Sequence, residues 1–173
     1  MTIVLGIDPG SRVTGYGLVN AVGNRQEYVA SGCIRTGGGE LPARLGRIQA
    51  GLDEVIRSYC PEQVAIEKVF VYRSAESALK LGQARGAAIV TATMAGLEVA
   101  EYAAPKIKQA LTGTGAADKA QVSHMVQVML GIRGELQADA ADALAIAICH
   151  VHSQRGLVRL AGARGFRRSR LQR

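Results

Sequence analysis

The chain has 173 residues, of which 48% are hydrophobic and 20% charged, and it contains 21 glycines and four prolines. This length and composition predict one globular domain with a buried core and exclude a disordered chain. Three widely spaced cysteines, Cys33, Cys60 and Cys149, fit neither a disulfide framework nor a zinc site, and they favour a reducing cytoplasm. No apolar run is long enough to span a bilayer, so we expect no transmembrane segment. The N-terminus has no basic segment typical of a signal peptide, so we expect no signal peptide.

The net charge of +7 comes from the C-terminal end of the chain. Seven of the 21 basic residues lie beyond Gln154 and no acidic residue does, so residues 1–154 carry 14 basic and 14 acidic side chains. We expect a domain over 1–154 and a flexible basic tail over 155–173, in which the glycines disfavour a stable helix. A neutral body with a basic tail favours a polyanionic partner, with a merely solubilising tail as the alternative.

The first half of the chain predicts strands followed by a helix. Residues 3–8, 14–20 and 26–36 are rich in β-branched and aromatic residues and are separated by glycine breaks, which predicts a three-stranded antiparallel meander. The next segment has apolar residues at helical spacing as far as Tyr59, with Pro42 suited to the first turn. We therefore predict an amphipathic helix after the meander.

The second half alternates strands and helices. We predict a strand over 63–67, a helix of about twenty residues that opens at Ser74, and a strand over 97–102. Two helices follow, one capped by Asp118 and one over residues 138–153. This order predicts an α/β fold with a mixed sheet, in which the meander is joined to parallel strands by crossover helices that flank the sheet.

Four acidic residues occupy positions where an unpaired charge is costly. Asp8 and Glu67 end two strands that we expect to be parallel neighbours, whose carboxyl ends share the crevice where open α/β sheets bind ligands. Asp139 and Asp142 lie three residues apart, on one side of the start of the last helix. Taken singly, each has an ordinary explanation: turn hydrogen bonds for Asp8, pairing with Lys68 or solvent for Glu67, and helix capping for the two aspartates.

Together, these four carboxylates would repel one another by several kcal/mol at a low effective dielectric unless cations neutralise them. Ligation by carboxylates alone favours Mg²⁺, with Mn²⁺ as a substitute, over Zn²⁺. Two such ions balance four carboxylates and suit phosphodiester hydrolysis, and Asp8 is the expected shared ligand. With those acids compensated, the body of the protein becomes cationic, which suits a nucleic-acid substrate.

Several motifs resemble the RuvC family of Holliday-junction resolvases. They are GIDPG followed by GYG, then IEKVF, SALKLGQARGAA and DAADALAIAICH, in that order over residues 3–154. The resemblance implies a ribonuclease-H-like fold, a homodimer, Mg²⁺-dependent paired nicking of four-way DNA junctions, and partnership with the branch-migration proteins RuvA and RuvB. The catalytic carboxylates of the family fall on the four acids already selected: Asp8, Glu67, Asp139 and Asp142.

Further residues are assigned to DNA contacts by the resemblance or by charge. Lys108 and Lys119 match family positions near the cleaved strand, and Phe70 matches the position that contacts distorted bases, where stacking contributes roughly 1–3 kcal/mol per base. Tyr72 lies in the same loop, where anchoring in the core is an equal alternative. Three more basic residues are candidates to line the DNA path, with plain solvation as the alternative: Arg73, Lys80 and Arg85.

Three other functions stay open at this point. An actin-like ATPase or sugar kinase shares the first strand and turn, but such proteins bind ATP between two lobes, and the chain has the length of one and no G-x-x-x-x-G-K-[ST] motif. An RNA-processing nuclease of the same fold would be distinguished by cleavage of RNA. A non-catalytic DNA-binding module is disfavoured, because four unused buried acids would destabilise the fold.

Overall fold

The structure is a computed structural model that describes residues 1–68 and 75–169, with side chains described as far as Gly156. The strands are β1 Thr2–Asp8, β2 Val13–Val22, β3 Arg25–Arg35, β4 Gln63–Lys68 and β5 Val99–Ala103. The helices are α1 Leu41–Tyr59, α2 Ala75–Met94, α3 Ala104–Thr112, α4 Lys119–Leu130 and α5 Ala138–Ser169.

The five strands form one mixed sheet in the order β3-β2-β1-β4-β5. The first three strands pair antiparallel, as predicted. Strand β4 lies parallel to β1, and β5 lies parallel to β4. The predicted mixed α/β sheet is therefore confirmed, and β1 is its central strand.

The core lies on both faces of this sheet, because alternate residues of a strand point to opposite faces. On one face, Val4 of β1 packs in a cluster with α3, α4 and α5. On the other face, Leu5 and Ile7 pack in a second cluster with α1 and α2. Every residue of α5 from Ala143 to Cys149 is buried, so this helix is the main cover of its side of the sheet.

Two glycines allow α5 to lie directly on the strands. A Cβ added at Gly6 of β1 would overlap the carbonyl oxygen of Ala143, and one added at Gly15 of β2 would overlap the carbonyl oxygen of Asp139. Gly15 is also the antiparallel partner of Asp8. The start of α5 is consequently held against the end of β1, and this contact positions the acidic residues.

A buried polar network joins α5 to the parallel strands β4 and β5. The His150 ring lies 2.9 Å from the Tyr102 hydroxyl through Nδ1 and 2.9 Å from the Gln63 side-chain oxygen through Nε2. Burial lowers the pKa of His150, so the ring is held neutral at neutral pH. These bonds satisfy polar groups that would be costly to bury unpaired.

Two features differ from the predicted elements. Helix α3 was missed, because it has nine residues and only Ile107 and Leu111 are buried. Helix α5 continues to Ser169 rather than ending at Ser153, which corrects the expectation that the tail glycines disfavour a helix. At the start of this extension, the Arg155 guanidinium donates to the carbonyls of Asn24 and Arg25. The division into a domain over 1–154 and a tail over 155–173 stays a prediction.

Candidate active site

Three carboxylates line one pocket at the carboxyl ends of β1 and β4. Ile7 pairs with Ile66 across these parallel strands, so the residues that follow, Asp8 and Glu67, are neighbours, as predicted. Asp142 of α5 completes the set. This carboxylate pocket has a volume of about 300 Å³. Its remaining lining is Ala104, Ile107, Lys108, Lys119, Val122, Ala145 and Ile146.

Asp139 lies beside the carboxylate pocket rather than in its lining. Its main chain packs on Gly15, the partner of Asp8. Its charge raises the pKa of the Asp8 carboxyl and of the Cys33 thiol, so it lies near both groups. The predicted convergence of four acids is therefore found, with three around the pocket and the fourth flanking Asp8.

Burial and neighbouring negative charge oppose the ionisation of Asp8 and Glu67. Burial, followed by the charges of Asp142, Glu67 and Asp139, raises the pKa of Asp8 to about 7. Burial and the charge of Asp142 likewise raise the pKa of Glu67. Since burial and a nearby like charge both disfavour ionisation, the raised pKa values of Asp8 and Glu67 reflect a site that is both buried and locally negative.

Two lysines offset part of that charge. Lys119 donates from Nζ to Oδ2 of Asp142 at 2.9 Å, and its charge lowers the pKa of Asp8 and Glu67. Lys108 of α3 also lowers the pKa of Glu67. Lys119 is the first residue of α4 and directly follows the N-cap residue Asp118, which forms a capping box with Gln121.

The helix dipole disfavours a cation at the position of Lys119, since the amino end of a helix attracts anions. The hydrogen bond of Lys119 to Asp142 offsets this unfavourable interaction with the helix dipole. The carboxylate pocket, rather than the stability of α4, therefore accounts for a lysine at this position.

Arg85 has a role that its sequence position did not indicate. From α2 its Nε donates to the main-chain carbonyl of Glu67 at 3.1 Å, and its Nη2 lies 2.7 Å from Oε2 of Glu101 on β5. Arg85 thus holds the end of β4, where Glu67 lies, against β5. In the sequence, Arg85 stands out as a single arginine in a helix of small residues. Its contacts with Glu67 and Glu101 are visible only in the structure, because these residues are far apart in the chain.

The other predicted DNA-binding residues have varied positions. Lys80 forms an ion pair with Glu76 on the exposed first turns of α2. Lys108 and Lys119 both line the carboxylate pocket. Phe70, Tyr72 and Arg73 lie outside the described residues. The assignment of these residues to DNA stays a prediction.

The chemistry of this donor set fits a hard divalent cation, because carboxylate oxygens are the ligands that Mg²⁺ and Mn²⁺ prefer. The structural observation in favour is that Asp8, Glu67 and Asp142 line one pocket, and a divalent charge there would favour the ionised form of Asp8, whose pKa is raised. Within the described ranges, no three acidic, histidine or cysteine side chains are arranged to hold one ion as they stand. Asp142 is instead hydrogen-bonded to Lys119.

The sequence matches the family model for crossover junction endodeoxyribonuclease RuvC over residues 4–150. The crossover junction endodeoxyribonuclease RuvC of Shewanella amazonensis is 60% identical over 167 residues, which cover 96% of both chains. That of Photobacterium profundum is 59% identical over 171 residues, which cover 98% of this chain and 99% of the relative. The similarity thus extends over almost the whole chain.

Solved structures show the same fold. The RuvC of Thermus thermophilus, solved in complex with a Holliday junction substrate, matches with a TM-score of 0.84 at 39% identity, over 90% of this chain and 96% of that one. The yeast mitochondrial Holliday junction resolvase matches with a TM-score of 0.65 at 15% identity, over 97% of this chain and 84% of that one. The predicted ribonuclease-H-like fold class is confirmed.

The raised pKa of Asp8 predicts how the stability of the metal-free protein depends on pH. A carboxyl whose pKa is raised on folding, here from 3.8 to about 7, favours the folded state below pH 4, and this contribution is lost as the pH rises to about 7. We expect Asp8→Asn to raise the free energy of unfolding by about 2–4 kcal/mol more at pH 8 than at pH 4.

Urea unfolding in EDTA at the two pH values measures this difference. Asp53→Asn, at a position on α1 away from the carboxylate pocket, is the matched control, since it removes only an exposed ion pair with Arg57, which is typically worth about 0–1 kcal/mol. An equal effect of Asp8→Asn at both pH values would show that Asp8 ionises normally.

Proposed function

Because the chain belongs to the RuvC family of crossover junction endodeoxyribonucleases, we propose that it resolves four-way DNA junctions by paired symmetric nicks in recombination and repair. The observation that carries this proposal is the group of acids around Asp8 at the carboxyl end of the sheet. It is supported by the match to a RuvC structure that holds a Holliday junction. An RNA-processing nuclease of the same fold is the alternative that the experiments below also test.

The proposed metal ligands are the four acids of the site. Asp8, Glu67, Asp139 and Asp142 would hold two Mg²⁺ ions, with Mn²⁺ as a substitute, and Asp8 would be shared because all three other charges act on it. When bound, two divalent ions at a phosphate stabilise the charge that develops on the attacking and leaving oxygens. Hydrolysis in which the 3′ oxygen is the leaving group produces a 5′ phosphate and a 3′ hydroxyl, which a ligase can rejoin.

The lysines of the carboxylate pocket are proposed to bind the strand that is cut. The Lys119 side chain is 83% exposed, although it is bonded to Asp142, so its ammonium is accessible to a phosphate oxygen at the pocket mouth. Lys108 lines the same pocket from α3. A lysine binds a phosphate as a point charge with no preference for base sequence. These two residues therefore position the strand without reading it.

Base contacts are proposed for the segment that follows Glu67 in the chain. Phe70 and Tyr72 supply aromatic surfaces for unstacked bases, and Arg73 supplies a charge for the adjoining backbone. Lys80, near the exposed start of α2, extends this set along the DNA path. Arg85 is proposed to support the site by holding the Glu67 carbonyl, in addition to any contact with DNA.

Paired nicks require two active sites, and we propose that α2 forms the interface of a homodimer. The exposed side chains of α2 include Leu79, Val90 and Met94, at 63%, 53% and 83% exposure. A Cβ added at Gly82 or Gly86 of the same helix would meet nothing within 4 Å. An exposed apolar face with small residues permits close packing of two equivalent helices. RuvA and RuvB are proposed partners on the basis of the family.

A cytoplasmic location is proposed from the cysteines. Cys33, Cys60 and Cys149 are free thiols, as is typical of a reducing compartment. Among the helical residues that the structure describes, none forms a helix with the length and apolar character needed to cross a membrane.

Neutralising one carboxylate should remove cleavage and spare binding. We expect Asp8→Asn to slow the nicking of a mobile four-way junction in Mg²⁺ by more than about 100-fold, since even partners outside the ligand set change activity 10–100-fold. Binding of the junction in EDTA should be unchanged or tighter, because a negative charge beside the phosphates is removed.

Gel shifts in EDTA and nicking assays in Mg²⁺ measure the two properties, with Asp53→Asn as the control. Glu67→Gln, Asp139→Asn and Asp142→Asn should behave as Asp8→Asn does. A variant that nicks at nearly the wild-type rate would contradict the assignment of its carboxylate. Cleavage of an RNA–DNA hybrid in preference to the junction would instead favour the RNA-processing alternative.

The proposed interface predicts the effect of a large side chain on α2. Gly86→Leu should fold normally, because the added side chain meets no atom of its own chain at Cβ, and it should be monomeric because it fills the space for the partner helix. It should cut junctions without pairing the two nicks.

Sedimentation velocity gives the oligomeric state, and a supercoiled cruciform plasmid distinguishes paired from single nicks. Gly46→Leu is the matched control, since Gly46 lies on α1 and is equally open. A normal dimer for Gly86→Leu would place the interface elsewhere.

A further inference from the structure

A second pocket, with the opposite charge, lies near the carboxylate pocket. It has a volume of about 560 Å³ and no acidic side chain in its lining. We name it the arginine pocket, and its lining is Arg12, Val13, Arg35, Gly37, Gly38, Gly39 and Arg44. None of these residues was selected by the sequence motifs.

Two residues of the arginine pocket, Arg12 and Arg35, place it close to the carboxylate site. Arg12 follows Asp8 by four residues, which limits their Cα separation to about 14 Å. The Arg35 guanidinium donates to the side-chain oxygen of Gln137 at 3.2 Å, and Gln137 lies two residues before Asp139. A DNA backbone, with one charge per roughly 3.4 Å of axis in each strand, is long enough to reach both pockets.

The walls of the arginine pocket are held in place by internal hydrogen bonds. Thr36 is fully buried, and its hydroxyl donates to the Ser11 carbonyl at 3.0 Å. Arg44 donates to the same Ser11 carbonyl, and Arg47 donates to the carbonyls of Thr36 and Gly38, the latter at 2.8 Å. The loops after β1 and β3 are thereby tied to α1, so the pocket is formed before any ligand binds.

The groups that face the arginine pocket have unused capacity for an anion. In the described part of the chain, none of its three arginines forms an ion pair. Within the same ranges, the main-chain amides of Gly37–Gly39 donate no hydrogen bond to protein, and Gly37 and Gly39 have φ values of 63° and 106°, which glycine adopts without strain. Guanidinium groups and loop amides are the donors with which proteins bind phosphates.

We propose that the arginine pocket binds a phosphodiester of the junction DNA other than the one that is cut, and so fixes the DNA relative to Asp8. This inference rests on the proposed function and adds to it a second phosphate site. DNA backbone is favoured over a small anion because the pocket is open, larger than one phosphate, and close to the nuclease site. Contacts with phosphate set affinity and register and carry no sequence preference.

Salt titrations of junction binding in EDTA give the first test. Arg12→Ala and Arg35→Ala should each flatten the slope of log affinity against log salt by about 0.9, as expected for one lost phosphate contact. Arg25→Ala is the matched control, because Arg25 lies at the opposite end of the same strand as Arg35, and its slope should equal that of the wild type. Unchanged slopes for both pocket variants would overturn the proposal.

A phosphate scan gives the second test, with single neutral methylphosphonates placed around the cut position. In the wild type and in Arg25→Ala, several positions should weaken binding, because Lys108 and Lys119 are also proposed to contact phosphates. In Arg12→Ala, one or two of these positions should cause no further loss, because the charge they contact is already absent, and the others should weaken binding as in the wild type. Additive losses at every position would overturn the proposal.

Titration with inorganic phosphate and with a mononucleotide separates a free anion from DNA. If these bind the wild type but not Arg12→Ala, while the salt slopes on junction DNA are equal, the pocket serves a free anion and the proposal fails. All of these measurements are made in EDTA and need no cleavage. A wild-type protein that binds junctions but does not nick them in Mg²⁺ would therefore contradict the proposed function alone.

Discussion

Burial of Asp8, together with repulsion from three neighbouring carboxylates, raises the Asp8 pKa to about 7, and other features of the fold sustain that arrangement. Asp8 ends the central strand, where Glu67 on β4 is its direct neighbour. Gly15 is the strand partner of Asp8, and because it has no side chain, the main chain of Asp139 packs directly against it. A protein selected for stability alone would gain by replacing such acids with neutral residues, and the divalent cations proposed to bind among them would account for their presence.

Positive charge surrounds this acidic centre on several sides. Lys108 and Lys119 border the carboxylate pocket, and Arg12 and Arg35 line the neighbouring arginine pocket. A polyanion can therefore approach the acids without meeting a uniformly negative surface. Arg85 serves a different purpose, because its ion pair with Glu101 and its bond to the Glu67 carbonyl make it part of the scaffold.

The elements of the fold with strong periodicity could be predicted from sequence, and the weakly patterned ones could not. Strand β1 and helix α1 have clear apolar patterns, and the capping box at Asp118 marked the start of α4. Helix α3 has too few buried residues to give a periodic signal. The extension of α5 was missed because glycine lowers helix propensity by about 1 kcal/mol per residue, and that penalty did not end the helix.

The residues of the candidate site likewise fall into those that could be predicted from sequence and those that could not. Asp8 and Glu67 could be found because an acid at the end of an apolar strand stands out in the sequence, and strand order then made them neighbours. The Arg85 contact and the arginine pocket depend on residues that are far apart in the chain, such as Ser11 and Arg44. Surface arginines carry no sequence signal that separates a pocket lining from a solvated position.

The most direct test of the charge argument is a calorimetric titration of the protein with Mg²⁺ in two buffers of different ionisation enthalpy. Since Asp8 has a pKa of about 7, Mg²⁺ binding at pH 7 should release on the order of half a proton per site. The release should fall towards zero at pH 8.5 and should be reduced in Asp8→Asn. Binding of Mg²⁺ at pH 7 with no proton release, or with equal release in Asp8→Asn, would contradict the account.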